Sequence, residues 1–149
     1  MDGRELRLVD VRDPNDPDHI GPPVLDAWLH YDVAPDRDEL AKALLAHFTG
    51  HLSISTSLLA HAGLGTALSH HTISTAVITI GVVFHDPVRW DDWLLYEHES
   101  TSVSAGMSFV RGQIFTRAGV LIASFQQEGM IREFNAGDPA PSMAATSRL

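Results

Sequence analysis

Residues 36–52 read DRDELAKALLAHFTGHL, and the apolar members of this stretch fall at Leu40, Leu44, Leu45, Phe48 and Leu52. Spacings of i, i+4, i+5, i+8 and i+12 line up on one side of a 3.6-residue helix, so the stretch predicts an amphipathic helix with one stripe against a core. Asp36 stands where a helix N-cap belongs, with Pro35 before it and Glu39 three residues on. Gly50 inside the pattern costs about 1 kcal/mol against alanine. The run of Ser53, Ser55, Thr56 and Ser57 lowers helix propensity further, and a bend or break is expected near Gly50. Gly63 and Gly65 close the segment ahead of a loop at Ser69-His70-His71.

Downstream of the helix the chain turns β in character. Residues 73–85 are rich in Val, Ile and Thr, residues 93–104 carry Trp, Tyr, Thr and Val, and residues 107–116 and 120–132 alternate apolar with polar. Arg117-Ala118-Gly119 reads as a hairpin turn, with glycine where a positive φ is needed. A helix followed by four strands predicts an α+β fold in which an antiparallel sheet packs on that helix. Upstream, residues 27–33 suggest a short strand, and residues 10–23 are punctuated by Pro, Gly and Asp at nearly every step, which no helix or central strand survives. The expected layout is an acidic, Pro-rich N-terminal segment over residues 1–26, one folded domain over residues 27–134, and a disordered tail over residues 135–149.

Composition narrows the function. A chain of 149 residues is long enough for a sizeable core, and no apolar run approaches the length of a bilayer span. The start of the chain has no apolar stretch behind it, so no secretory leader and a cytoplasmic setting are expected. The absence of cysteine removes disulfides, thiolate metal sites and cysteine nucleophiles together. The net charge of -9 argues against binding nucleic acid through a basic face. That charge is uneven: residues 1–40 carry net -7 and residues 41–149 only -2. Arg89, Arg111, Arg117 and Arg132 all lie in the second part, which could receive an anionic ligand.

The most informative irregularity is in the last predicted strand, where Leu121, Ala123, Phe125, Gln127 and Gly129 share one face. An uncharged amide in line with apolar residues costs roughly 1–3 kcal/mol if it is buried unpaired. Two readings stand for Gln127: a structural hydrogen bond, or a residue of a site. Thr101, in the hydroxyl-rich run 99–104, and Thr79, alternating with Val77, Gly81 and Val83, are explained by strand propensity when taken singly. His47 and His51 have the i, i+4 spacing of a helical ligand pair, but the glutamate of a zinc-protease helix is missing and Gly50 interrupts, so no metal site is expected. No G-x-S-x-G elbow, Walker loop or G-x-G-x-x-G is present.

Several short motifs then carry a resemblance. In order they are Phe84-His85-Asp86-Pro87, Asp92-Trp93-Leu94-Leu95-Tyr96, Glu99-Ser100-Thr101-Ser102, Phe109-Val110-Arg111-Gly112, residues 119–124 (GVLIAS) and Gln127-Glu128-Gly129. Together they resemble the carboxy-terminal half of type II acyl-CoA thioesterases, a family with two hotdog domains in one chain. The resemblance covers about half the sequence well and the helix before it weakly. It implies a hotdog fold, in which the sheet wraps around one long helix. It also implies thioester hydrolysis by a water held by an Asp, a Ser or Thr, and a Gln, with no cofactor.

By that resemblance Thr101 takes the hydroxyl position and Gln127 the amide, while Thr79 stands where the Asp belongs and Ile80 where the following His belongs. A threonine hydroxyl does not accept a proton near neutral pH as a carboxylate does, so weakened activity is expected. Thr79→Asp is the natural restoring substitution. Arg111 and Arg132, in the matched block, are the candidates for the coenzyme A phosphates, with solvated charge as the plainer reading of each. A lone hotdog leaves a sheet edge exposed, so a homodimer, pairing with a second hotdog, or an incomplete chain is expected. A non-catalytic acyl-CoA binding or assembly module is the alternative function. A hotdog hydratase ranks last, because no spaced Asp and His pair is found.

Overall fold

A computed structural model describes residues 3–9, 13–69 and 71–134. The expected tail over residues 135–149 lies outside the described residues, as does His70. Six strands form one antiparallel sheet: β1 (Arg4–Leu8), β2 (Val24–Tyr31), β3 (Ile73–Phe84), β4 (Leu94–Ser104), β5 (Met107–Thr116) and β6 (Leu121–Glu133), in the order β1-β2-β4-β5-β6-β3. The sheet therefore begins well before residue 27. Leu6 and Leu8 of β1 pack against the core while its arginines and glutamate stay outside, and β1 pairs with β2 from Arg4↔Tyr31 to Leu8↔Ala27.

The helix is split as its sequence suggested. α1 runs Asp38–Thr49 and α2 runs Ser53–Leu58, with the turn between them starting at Gly50. Asp38 and Glu39 occupy the first turn of α1, where negative charge suits the helix dipole. The cap position is Arg37, with no side-chain cap bond, rather than Asp36. Of the predicted stripe, Leu45, Phe48 and Leu52 are buried and Leu44 packs partly buried against the core, while Leu40 is 47% exposed and Ala41 is buried in its stead. Two hydrogen bonds rivet α1 to the sheet side: Trp90 Nε1 donates to the Ala41 carbonyl (3.0 Å) and the Tyr96 hydroxyl to the Leu45 carbonyl (3.3 Å).

α2 buries Ser53, Ser55, Thr56 and Ser57, an unusual load of hydroxyls for a helix inside a sheet. Three are satisfied by bonding back one turn: Ser53 Oγ to the Thr49 carbonyl (2.7 Å), Thr56 Oγ1 to Leu52 (2.8 Å) and Ser57 Oγ to Ser53 (3.1 Å). Ser55 Oγ accepts from Thr66 Oγ1 at 2.9 Å. In the sheet, β4 turns into β5 through Ala105 (φ 52°) and Gly106 (φ 77°), the paired positive φ values of a tight hairpin, and Gly119 (φ 83°) closes the β5–β6 turn as predicted. At Gly112 a methyl would overlap the Glu97 carbonyl and the Phe125 ring, which lies across the glycine.

Candidate functional site

β6 alternates as the sequence indicated: Ala123, Phe125, Gln127 and Gly129 are buried on the face wrapped around the helices, and Gln126 and Glu128 are exposed on the other. Antiparallel partners share a face, so the residues beside Gln127 follow from register. Gln127 pairs with Val110 on β5 and with Ile80 on β3, and Val110 pairs in turn with Ser100 on β4. Gln127 is 1% exposed, and neither its amide oxygen nor its amide nitrogen has a hydrogen-bond partner among the described residues. Of the two readings of this residue, a structural hydrogen bond is absent here. The side chain reaches toward the helix break, because a Cβ placed on Gly50 would lie 3.6 Å from Gln127 Oε1.

Two β-bulges decide where the other candidates fall. One lies between Val77 and Thr79 on β3. It moves the strand out of phase, so Val77 faces the helices opposite Gly129 while Thr79 pairs with Glu128 on the far face. Thr79 Oγ1 donates to Glu128 Oε2 at 3.0 Å there, and the expected meeting of Thr79 with Gln127 does not occur. The side chain beside the amide is that of Ile80.

The second bulge lies between Ser100 and Ser102, at Thr101. The exposed Thr101 therefore interrupts the alternation, and two buried hydroxyls share Gln127's face: Ser100, which donates to Ser57 Oγ at 3.0 Å, and Ser108, opposite Gly129, whose Oγ has no partner among the described residues. The backbones of Ser100 and Gln127 are two strand spacings, roughly 10 Å, apart. Ser100 signals itself in the sequence only as one of a hydroxyl run.

The arginines stand away from the amide. Arg111, opposite Gln126, lies on the far face and forms a two-point ion pair with Glu99 (2.9 and 2.8 Å). Arg132 is exposed, and its stem lies against the Gly106 turn. The His47 and His51 rings flank Phe48, with centroids 5.2 and 5.5 Å away, and burial chiefly depresses the His51 pKa, helped by Arg4 and His47. His98, on the wrapped face of β4, was not singled out by sequence. Its Nδ1 donates to the Leu25 carbonyl (3.0 Å), its Nε2 is buried without a partner, and burial pushes its pKa down to about 4.

An antiparallel sheet curled over a central helix, with a polar side chain buried on the wrapped face, defines a hotdog domain. Solved structures of that kind resemble it: acyl-CoA thioesterase II TesB2 from Mycobacterium marinum superposes with a TM-score of 0.72 at 24% identity, over 89% of this chain and 50% of that one. A hotdog-fold protein of unknown function from Alicyclobacillus acidocaldarius gives 0.64 at 17% identity, over 91% of this chain and 47% of that one. The chain belongs to the acyl-CoA thioesterase C-terminal domain family, whose profile matches residues 2–131. Among curated relatives, acyl-CoA thioesterase 2 of Haemophilus influenzae is 34% identical over 94 residues, covering 63% of this chain and 32% of that protein. Acyl-coenzyme A thioesterase 8 of Mus musculus is 36% identical over 87 residues, covering 55% and 27%. The chain thus aligns with about a third or less of the length of these two relatives.

Proposed function

We propose that this chain hydrolyses acyl-CoA thioesters in the cytoplasm, with the Gln127 amide orienting the attacking water. The observation that carries the reading is the buried amide with both polar atoms unpartnered among the described residues, which is costly for stability unless a water or a ligand completes it. In the reaction, water oxygen bonds to the acyl carbon, the carbon–sulfur bond breaks, one water proton ends on the coenzyme A sulfur and the free carboxylic acid leaves. Gln127 offers the water an acceptor and two N–H donors. Ser100, with Thr101 on the adjacent bulge, supplies the hydroxyl end of the site.

No carboxylate reaches the amide among the described residues, so water is positioned without an adjacent base and turnover is slow. The coenzyme A phosphates fall to the exposed arginines Arg111 and Arg132, the former in competition with Glu99. A second hotdog, either another copy of this chain or a separate partner, covers β3. This strand is a sheet edge 12 residues long, and Val77, Ile78, Ile80, Val83 and Phe84 along it are exposed.

The alternative reading is a non-catalytic acyl-CoA binding module. It is favoured by Ile80, an aliphatic group where a base would serve the amide. Release of free thiol from a fatty acyl-CoA series separates the two, and the chain's lack of cysteine leaves no protein background in that assay. Turnover above the uncatalysed rate that is lost in Gln127→Ala supports hydrolysis. Binding without turnover supports the module, and neither binding nor turnover removes both.

A further inference from the structure

Trp28, on β2 between the buried Ala27 and Leu29, faces away from the helices, and Trp93, just ahead of β4, packs on the same side. Arg7, opposite Trp28 on β1, lays its guanidinium 4.4 Å over the Trp93 ring. With Arg117 these side chains line a depression of about 310 Å³, to which no carboxylate contributes among the described residues. Arg7 is paired with Glu5 (2.8 Å) and Arg117 with Asp92 (3.6 Å), exposed pairs that cost little to exchange for another anion. Indole faces take flat π-systems, and guanidiniums take phosphate in a two-point fork. The volume is at the lower end of small-molecule sites, enough for one base with its sugar and phosphate. The net charge of -9 disfavours a longer polyanion.

We infer that this depression binds a free mononucleotide, its base against the indoles of Trp28 and Trp93 and its phosphates on Arg7 and Arg117. The site is separate from the one at Gln127. Trp28 is on the opposite face of the sheet, and in the order β2-β4-β5-β6 its strand lies three spacings, roughly 14 Å, from that of the amide. Nor does it use Arg111 or Arg132, the arginines assigned above to the coenzyme A phosphates. Nucleotide binding there does not depend on whether Gln127 supports hydrolysis.

The test titrates the 149-residue chain with ADP, adenosine and pyrophosphate and reads indole emission, Trp90 being buried in the core out of their reach. ADP is expected to quench saturably with a midpoint below about 1 mM, and adenosine and pyrophosphate to bind at least tenfold more weakly, since each keeps only half of the recognition. The Arg7→Ala, Arg117→Ala double variant, at two exposed side chains that the fold can lose, should weaken ADP at least tenfold, as should Trp28→Leu. Arg111→Ala should leave ADP affinity unchanged, and so should a hexanoyl-CoA thioether that cannot be hydrolysed. Absence of quenching by ADP, equal binding of adenosine or pyrophosphate, or wild-type affinity in the double variant overturns the inference. So does displacement of ADP by the thioether, which would assign the depression to the nucleotide end of coenzyme A, and so does tighter binding of an oligodeoxyadenylate than of ADP.

Discussion

Replacing Gln127 by methionine removes both amide atoms from the interior at nearly constant side-chain length. The residue is 1% exposed and makes no hydrogen bond among the described residues, so its burial carries the desolvation cost of a lone amide, roughly 1–3 kcal/mol. Methionine relieves that cost and keeps the contacts to Val110 and Ile80. For a chain of this size each kcal/mol moves the melting temperature by roughly 2–4 °C, so Gln127→Met should melt roughly 2–12 °C higher. Thermal unfolding and thiol release measured on one preparation should move in opposite senses, with hydrolysis at least tenfold lower, because stability was given up for a group that serves the ligand. A melting temperature lowered by the same amount with activity intact would refute the reasoning, since it would mean that the amide holds the fold.

Three further outcomes are expected. Burial lowers the His98 pKa to about 4 from 6.5. The unfolded chain therefore takes this proton first as pH falls, and stability, full above pH 6.5, drops toward pH 4 by up to about 1.4 kcal/mol per unit. Urea unfolding at pH 7, 5.5 and 4.5 measures that slope, and His98→Gln should remove this part of it; an unchanged slope would mean that His98 is not buried neutral. Sedimentation should find the chain associated at micromolar concentration and the Ile78→Lys, Val83→Lys double variant monomeric, because lysines along the β3 edge oppose pairing. A monomeric parent contradicts the covered edge. Finally, Ile80→Asp places a carboxylate opposite the amide and should raise hydrolysis at least tenfold, while Thr79→Asp, facing Glu128, should not. Acceleration by Thr79→Asp alone would show that the two faces of β3 have been exchanged.

Gln127 was legible because β6 alternates without interruption from Ala123 to Ile131, so parity alone gave its face. Thr79 and Thr101 were not, because each lies at a bulge, and a single extra residue inverts the phase of everything on one side of it. Periodicity counts residues and does not see an unpaired one. The helix break was visible in Gly50 and the serines after it. The buried stripe was read correctly at Leu45, Phe48 and Leu52 and missed only at its start, because Ala41, too small to stand out in a hydrophobic count, takes the place against the sheet expected of Leu40. β1 is short and mostly charged, and only its Leu6 and Leu8 hint at a strand.

The side-chain amide of Gln127 can be watched directly. In a nitrogen-15 spectrum assigned with Gln127→Met, titration of the hexanoyl-CoA thioether should shift the Gln127 Nε2 resonances saturably, with the same midpoint as binding measured by calorimetry. A ligand that binds and leaves those two proton signals unmoved would contradict the claim that this amide is the seat of the chemistry.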